Sequence, residues 1–514
     1  MVMLVYLVQI LIIRPRRRKS ACTAPLPPGP VPWPVVGNLP EMLLTEKPAF
    51  RWIHFLMRET AGAEDIACVK LGGVHVISIA CPKIAREVLA GRHVRVAPAY
   101  LRVPDIQRGY RSAVLSPHGD QWRKMRRVLA AGVACPARHR WLHDKRAGEA
   151  DHLTRYVYNL ATGGSGGAVD VRHVARHYCG NVVRRLVFSR RYFGEPRDDG
   201  GPGPMEVQHV DAVFASLGLL YNFCVSDYLP WLLGLDLDGH EKSVREANET
   251  VNRLHDRVID ERWRQWKGGE KEEVEDLLDV LITLKDANGK PLLTIEEVKA
   301  QYQRKSRSRP WTTRRTRWNG LAELVSTPEA LAKAVAELDR VVGRDRLVQE
   351  SDIPRLNYVK ACIRLHPVAP FNVPHVALAD ATVAGYHVPE GSHVLLSRVG
   401  LGRNPAVWDE PLRFNPDRHI ISDDPKTEEV TLAENDLRFI SFSTGRRGCI
   451  AAPLGTAMSV MLFGRLLQGF TWSKPAGVAA VDLSESRYAM FMAKPLVLHA
   501  EPRLPADLYP SISN

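Results

Sequence analysis

Ser441-Phe442-Ser443-Thr444-Gly445-Arg446-Arg447-Gly448-Cys449-Ile450-Ala451-Ala452 is the stretch on which the fold of this 514-residue chain turns. Phe442, Gly445, Arg447 and Cys449 stand in the pattern F-x-x-G-x-R-x-C, the spacing of a loop that carries a thiolate beside a porphyrin. Gly445 and Gly448 permit positive φ or a close approach of backbone to a macrocycle. Phe442 is placed to shield the sulfur, and Arg447 to pair with a propionate. The apolar run Pro453 to Leu467 reads as a helix that takes over from the loop. A thiolate ligand pushes electron density into iron and favours O–O cleavage, which neutral histidine ligation does less well. The bland alternative for a lone cysteine is a buried, inert thiol. Four matched positions turn the reading toward Cys449 as a haem iron ligand.

Working outward, helical patterns dominate from Asp120 onward, and no linker divides the chain. The fold expected is mainly α with small β-sheets. Its β portion lies near Val69 to Ile79, where Val69, Leu71, Val74 and Val76-Ile77-Ser78-Ile79 alternate weakly around a Gly72-Gly73 turn. Eight cysteines are scattered without paired clusters or metal spacing, which points to free thiols in a reducing compartment. Met1 to Ile13 is nearly all apolar and is followed by Arg14-Pro15-Arg16-Arg17-Arg18-Lys19. A spanning helix needs roughly 20 apolar residues, so the run is short, but its basic flank obeys the positive-inside rule. Residues 1–24 are therefore expected to be a short membrane anchor with a linker, and 25–514 a single domain. A cleaved signal peptide is the alternative.

The net charge of +13 invites a nucleic-acid reading. Seven basic residues and no acid lie between Arg304 and Gly320, and setting them aside leaves +6. That excess suits an acidic electron-donor protein better than a duplex, so no nucleic acid is expected.

The chain resembles the cytochromes P-450, the haem-thiolate monooxygenases, in several segments that follow in order. Leu26-Pro27-Pro28-Gly29-Pro30, within 25–34, is similar to the family's proline hinge. Trp122 and Arg126 match W-x-x-x-R, one helical turn apart, and Phe414-Asn415-Pro416-Asp417-Arg418-His419 stands where the family has F-x-P-E-R-F. His419, Ala451 and the run Phe371-Asn372-Val373-Pro374-His375 resemble the plant enzymes that turn amino acids into aldoximes, those acting on tyrosine most of all.

The resemblance implies haem b as cofactor and dioxygen with NADPH-derived electrons as cosubstrates. It also implies an NADPH-cytochrome P-450 reductase as partner, an amino-acid substrate, and the cytosolic face of the endoplasmic reticulum membrane as location. Cys449 would ligate the iron, with Phe442 and Gly445 around it and Trp122, Arg126, His375 and Arg447 at the propionates. Phe371, Asn372, Val373, Met490 and Phe491 would line the substrate pocket, against an alternative of ordinary packing for the two phenylalanines.

Three segments depart from the family. Residues 304–320, Arg-Lys-Ser-Arg-Ser-Arg-Pro-Trp-Thr-Thr-Arg-Arg-Thr-Arg-Trp-Asn-Gly, occupy the place of the apolar helix that crosses the distal haem face. Such a run resists burial, because a charge moved into an apolar interior costs several kcal/mol and arginine does not neutralise. With permissible codons, Arg309 to Gly320 read from the third base becomes Ala-Val-Asp-Asn-Pro-Ser-Asn-Ala-Val-Glu-Trp, the family's helix. Residues 95–108 behave in the same way. Finally, Tyr358 to Pro367 resembles the family's K helix with about four residues missing, roughly one turn, so Ala361 stands where a glutamate would pair with Arg364. The expectation is a disrupted distal helix and K helix, with no catalytic residue assignable in 304–320. The competing reading is a P-450-like scaffold, dead or wrongly assembled at the gene level, that binds haem without turnover.

Overall fold

The computed structural model describes residues 24–45, 47–62, 64–90, 111–113, 116–163, 166–220, 222–308, 317–363, 365–366, 369–420, 429–432, 437–438, 442–443, 445, 447–486, 490 and 492–511, and the backbone of 446. The expected anchor at 1–23, the segment 95–108, residues 309–316, Arg364 and Phe491 lie outside the described residues.

The helix that follows the cysteine loop, Ala452–Gly469, is the axis of the fold. Pro453 sits in its first turn, where a missing N–H costs nothing. From Met458 to Gly469 every residue is buried, so the helix is enclosed rather than amphipathic. It packs against His143–Thr162, Val171–Phe188, Pro328–Val341 and Asn357–Ala361. Val171–Phe188 begins on Asp170, whose carboxylate accepts the His173 backbone N–H at 3.0 Å, a side-chain cap worth about 1 kcal/mol. Two further helices, Pro204–Leu220 and the 29-residue His240–Gly268, pack together beside this core.

The β portion forms where the alternation indicated. Ile66–Leu71 and Val74–Ile79 make an antiparallel hairpin, His393–Leu396 adds parallel to it, and His375–Val376 closes the edge antiparallel, with His375 opposite Val394. The turn requires glycine twice over. Gly72 has φ +53°, and a Cβ there would lie 2.3 Å from the Tyr228 carbonyl oxygen. The sheet thus delivers His375 and the preceding Phe371 from an edge that the first hairpin anchors.

Around the distal segment, helix is present on both sides: Ile295–Ser308 and Arg317–Ser326. Leu321, Ala322 and Leu324 are buried, and Gly320 meets Phe463 and the Cys362 carbonyl so closely that a Cβ would lie 2.9 and 3.1 Å from them. The shortened K helix is Asn357–Ala361. Its first N–H groups are taken by a carboxylate from another helix: Glu337 accepts Tyr358 N–H at 2.9 Å and Val359 N–H at 3.0 Å. Arg418 donates to four backbone carbonyls, those of Asn415, Asp409, Glu410 and Arg413, and stays partly exposed. A small void of about 30 Å³, lined by Ala361, Leu365, Trp408, Phe414, Arg418 and His419, lies beside this segment, with room for water.

Candidate active site

Cys449 sits at the end of a tight loop. Its N–H donates to the Phe442 carbonyl at 2.8 Å, and Gly448 N–H donates to Gly445 at 2.9 Å. Gly445 has φ +69° and Ser443 φ +58°; the first is free for glycine, whereas the second is held by its surroundings against a cost. Phe442 is buried in the central core, and Cys449 packs partly exposed against that same cluster.

Trp122, Arg126 and His375 come to this loop from two other elements, and the loop itself supplies Arg447. The helix Asp120–Gly132 presents Trp122 and Arg126 on one face, and Arg126 Nη2 donates to the Gly448 carbonyl at 2.7 Å, next to the cysteine. Burial lowers the Arg126 guanidinium from its ordinary pKa, and the charge at Cys449 opposes the shift. Arg447 lies over the Trp122 ring, 4.7 Å from its centroid, and donates to the Ser116 carbonyl at 2.9 Å. Its pKa falls to about 10, through burial first and then through Arg126. His375 arrives from the sheet edge, and burial, with Arg447 second, lowers it to about 4, so its imidazole is neutral near pH 7.

This arrangement fits a bound dianionic group such as a haem carrying two propionates. Burial lowers both guanidinium groups, and Arg126 further depresses Arg447 across a partly buried space, which an anion would relieve. Trp122 Nε1 and His375 Nδ1 are buried, and neither makes a hydrogen bond among the described residues. An unpaired buried polar group costs about 1–3 kcal/mol, a cost that an anionic group with acceptor oxygens would relieve at both atoms. Cys449, Phe442, Gly445, Arg447, Trp122, Arg126 and His375 are therefore brought to one place.

The expected pocket residues form a second group. Phe371 and Met490 are buried in one cluster with Val225, Tyr228 and Leu229. Asn372 accepts from Arg398 Nε at 3.3 Å, and its Nδ2 is buried without a hydrogen bond among the described residues. Val373 is partly exposed. Sequence reasoning missed Ser116, which contributes only a carbonyl, and His54, Ser397 and Phe223, which surround Phe371. None carries a local signal. His54 in Arg51-Trp52-Ile53-His54-Phe55 reads as one more residue of an amphipathic helix.

Comparison with known proteins places this geometry. Cytochrome P450 matches residues 27–499. The tyrosine N-monooxygenase of Sorghum bicolor is 70% identical, across 97% of this chain and 92% of its own length. Tryptophan N-monooxygenase 1 of Arabidopsis thaliana is 50% identical across 99% and 93%, and valine N-monooxygenase 2 of Manihot esculenta 51% across 96% and 91%. The reading of a scaffold without turnover gains no support from these matches. Fold, cysteine loop and matched extent agree: the chain belongs to the cytochrome P450 family.

Proposed function

We propose that the chain is a haem-thiolate monooxygenase that N-hydroxylates an L-amino acid, tyrosine foremost, and carries it to the aldoxime. The observation that carries this reading is the convergence of Trp122, Arg126, Arg447 and His375 around the Cys449 loop, in a chain 70% identical to a tyrosine N-monooxygenase.

In this reading Cys449 holds the iron of haem b, and Trp122, Arg126, His375 and Arg447 hold its propionates. Bound haem supplies the reduction of dioxygen and the transfer of one oxygen atom. The protein's own part is positional. Arg126 pins the Gly448 carbonyl and with it the cysteine loop, while Arg447 braces Trp122. Each oxygenation converts an N–H to N–OH, releases one water and consumes two electrons and two protons. After two rounds, loss of carbon dioxide and water leaves the aldoxime. The electrons come from an NADPH-cytochrome P-450 reductase.

The working location is the cytosolic face of the endoplasmic reticulum membrane, with residues 1–24 as anchor. Among the described residues no helix is long and apolar enough to cross a membrane. Support comes from apolar side chains left in the open: Leu44 is 81% exposed, Trp231 65% and Leu237 67%. They suit partial insertion into a headgroup region.

The test is reconstitution of the full chain with the reductase in lipid vesicles, supplied with L-tyrosine and NADPH. Expected is the aldoxime of tyrosine by mass spectrometry, formed only with NADPH. A haem-loaded preparation yielding no oxidised product from tyrosine, phenylalanine, tryptophan or valine overturns the reading.

A further inference from the structure

We propose that His54 is a positioning residue for the substrate: from the helix Ala49–Glu59 it fixes the ring of Phe371, and with it the aromatic wall of the amino-acid pocket. This rests on the functional reading above and extends it to a residue outside the haem cradle.

The two rings lie nearly parallel, with centroids 4.9 Å apart and planes 14° apart. The imidazole's edges are both occupied. Phe50, one turn earlier, supplies a backbone hydrogen bond, and Nε2 lies 2.6 Å from Ser397 Oγ. Phe50 therefore takes the Nδ1 proton, and the Ser397 hydroxyl donates to Nε2. The Ser397 oxygen meanwhile accepts Gly400 N–H at 2.7 Å. Every polar atom of the pair is satisfied in this one tautomer, so the ring is held against rotation.

Ser397 has a second connection to the same place, because its backbone bridges Phe371. One serine thus fixes both the strand position of Phe371 and the ring stacked on it. On another side Phe223 meets Phe371 edge-on, 6.4 Å away at 77°, and is itself stacked on Tyr228 at 5.9 Å and 14°. Phe371 cannot turn without displacing His54 or Phe223. The cations Arg51, Arg58 and Arg403 surround the imidazole and, with burial, keep it neutral. A neutral face suits stacking on a phenyl ring. Four residues further along the chain stands His375 of the proposed haem cradle, at the start of the strand His375–Val376, which keeps Phe371 within about 14 Å of it. A rigid aromatic wall favours a phenyl or phenol side chain over a branched aliphatic one.

The test compares wild type, His54→Ala and His54→Phe as full chains with reductase in vesicles. An aromatic pair is worth roughly a two- to tenfold change in binding. His54→Ala is expected to raise KM for tyrosine and phenylalanine by that factor. The value for valine, kcat and the carbon-monoxide difference band should stay unchanged. His54→Phe, which keeps the stack and loses the Ser397 bond, should restore the aromatic KM. An unmoved KM, an equal rise for valine, a His54→Phe as impaired as His54→Ala, or a carbon-monoxide band lost in step with activity each overturns the inference. An active wild type with any of these results leaves the functional reading standing, whereas a wild type that oxidises no amino acid overturns both.

Discussion

Arg126 holds the Gly448 carbonyl beside the cysteine, and in the proposed haem cradle the same side chain supplies a cation to a propionate. Removing a charged hydrogen-bond partner costs about 1.5–3 kcal/mol, which corresponds to roughly ten- to a hundredfold. Arg126→Leu is therefore expected to accelerate haem loss to a scavenging globin by that factor, with Trp122→Phe, which keeps the stack under Arg447 and loses only Nε1–H, falling well below it. Equal rates for wild type and Arg126→Leu would refute the assignment. The two residues also show what the sequence makes legible. Trp122 and Arg126 are one helical turn apart and Phe442 to Cys449 lie in one loop, so their relation is local and readable. Ser116 was hidden because it acts through its carbonyl, which has no residue identity, upon a partner 331 positions away. His54 was hidden for a similar reason, its partners Phe371 and Ser397 being distant in sequence.

Elements were legible where they had a period and opaque where a long-range contact replaced a local rule. The hairpin around Gly72 and the helix after Cys449 both follow from pattern. The truncated helix Asn357–Ala361 does not: its start depends on Glu337, which reaches it from Pro328–Val341. Burial raises the Glu337 carboxyl above its ordinary pKa, with the two backbone donors pulling it back. Glu337→Ala strands two buried N–H groups at about 1–3 kcal/mol each, so a loss of about 2–6 kcal/mol is expected in denaturant titration of the holoprotein. Glu337→Gln keeps one acceptor for two donors and turns an NH2 toward the other N–H, so it should recover about half of that loss; a Gln variant as weak as Ala would show that charge, not acceptance, matters. The basic run poses the larger question at this scale. Replacing 310–319 with Ala-Val-Asp-Asn-Pro-Ser-Asn-Ala-Val-Glu, and keeping the tightly packed Gly320, removes arginines that resist burial and is expected to raise aldoxime formed per NADPH consumed. No gain would show that the basic residues are compatible with the reaction.

Across the whole molecule, the enclosed C-terminal helix and the sheet edge force several histidines into the interior. His152, His177, His375 and His393 are all buried, with pKa values lowered by burial to about 3, 2, 4 and 4. Each is a base whose native pKa lies below its ordinary 6.5. Above that pH both folded and unfolded chains keep them neutral, and they leave stability unchanged. Below it the unfolded chain binds protons that the native chain refuses, so unfolding becomes easier as pH falls from about 6.5 toward 4. The slope is at most about 1.4 kcal/mol per pH unit for each histidine, and four acting together make the fold acid-labile well before its carboxylates titrate. The denaturation midpoint is expected to fall steeply between neutral pH and about pH 5 at constant ionic strength. His177, whose Nδ1 is buried without a hydrogen bond among the described residues, offers the decisive variant. His177→Phe removes one proton site without leaving a buried polar atom, so it should flatten the slope by one histidine's share while leaving the neutral-pH midpoint nearly unchanged. A slope identical to wild type would exclude His177 from the linkage, and a midpoint independent of pH would exclude all four.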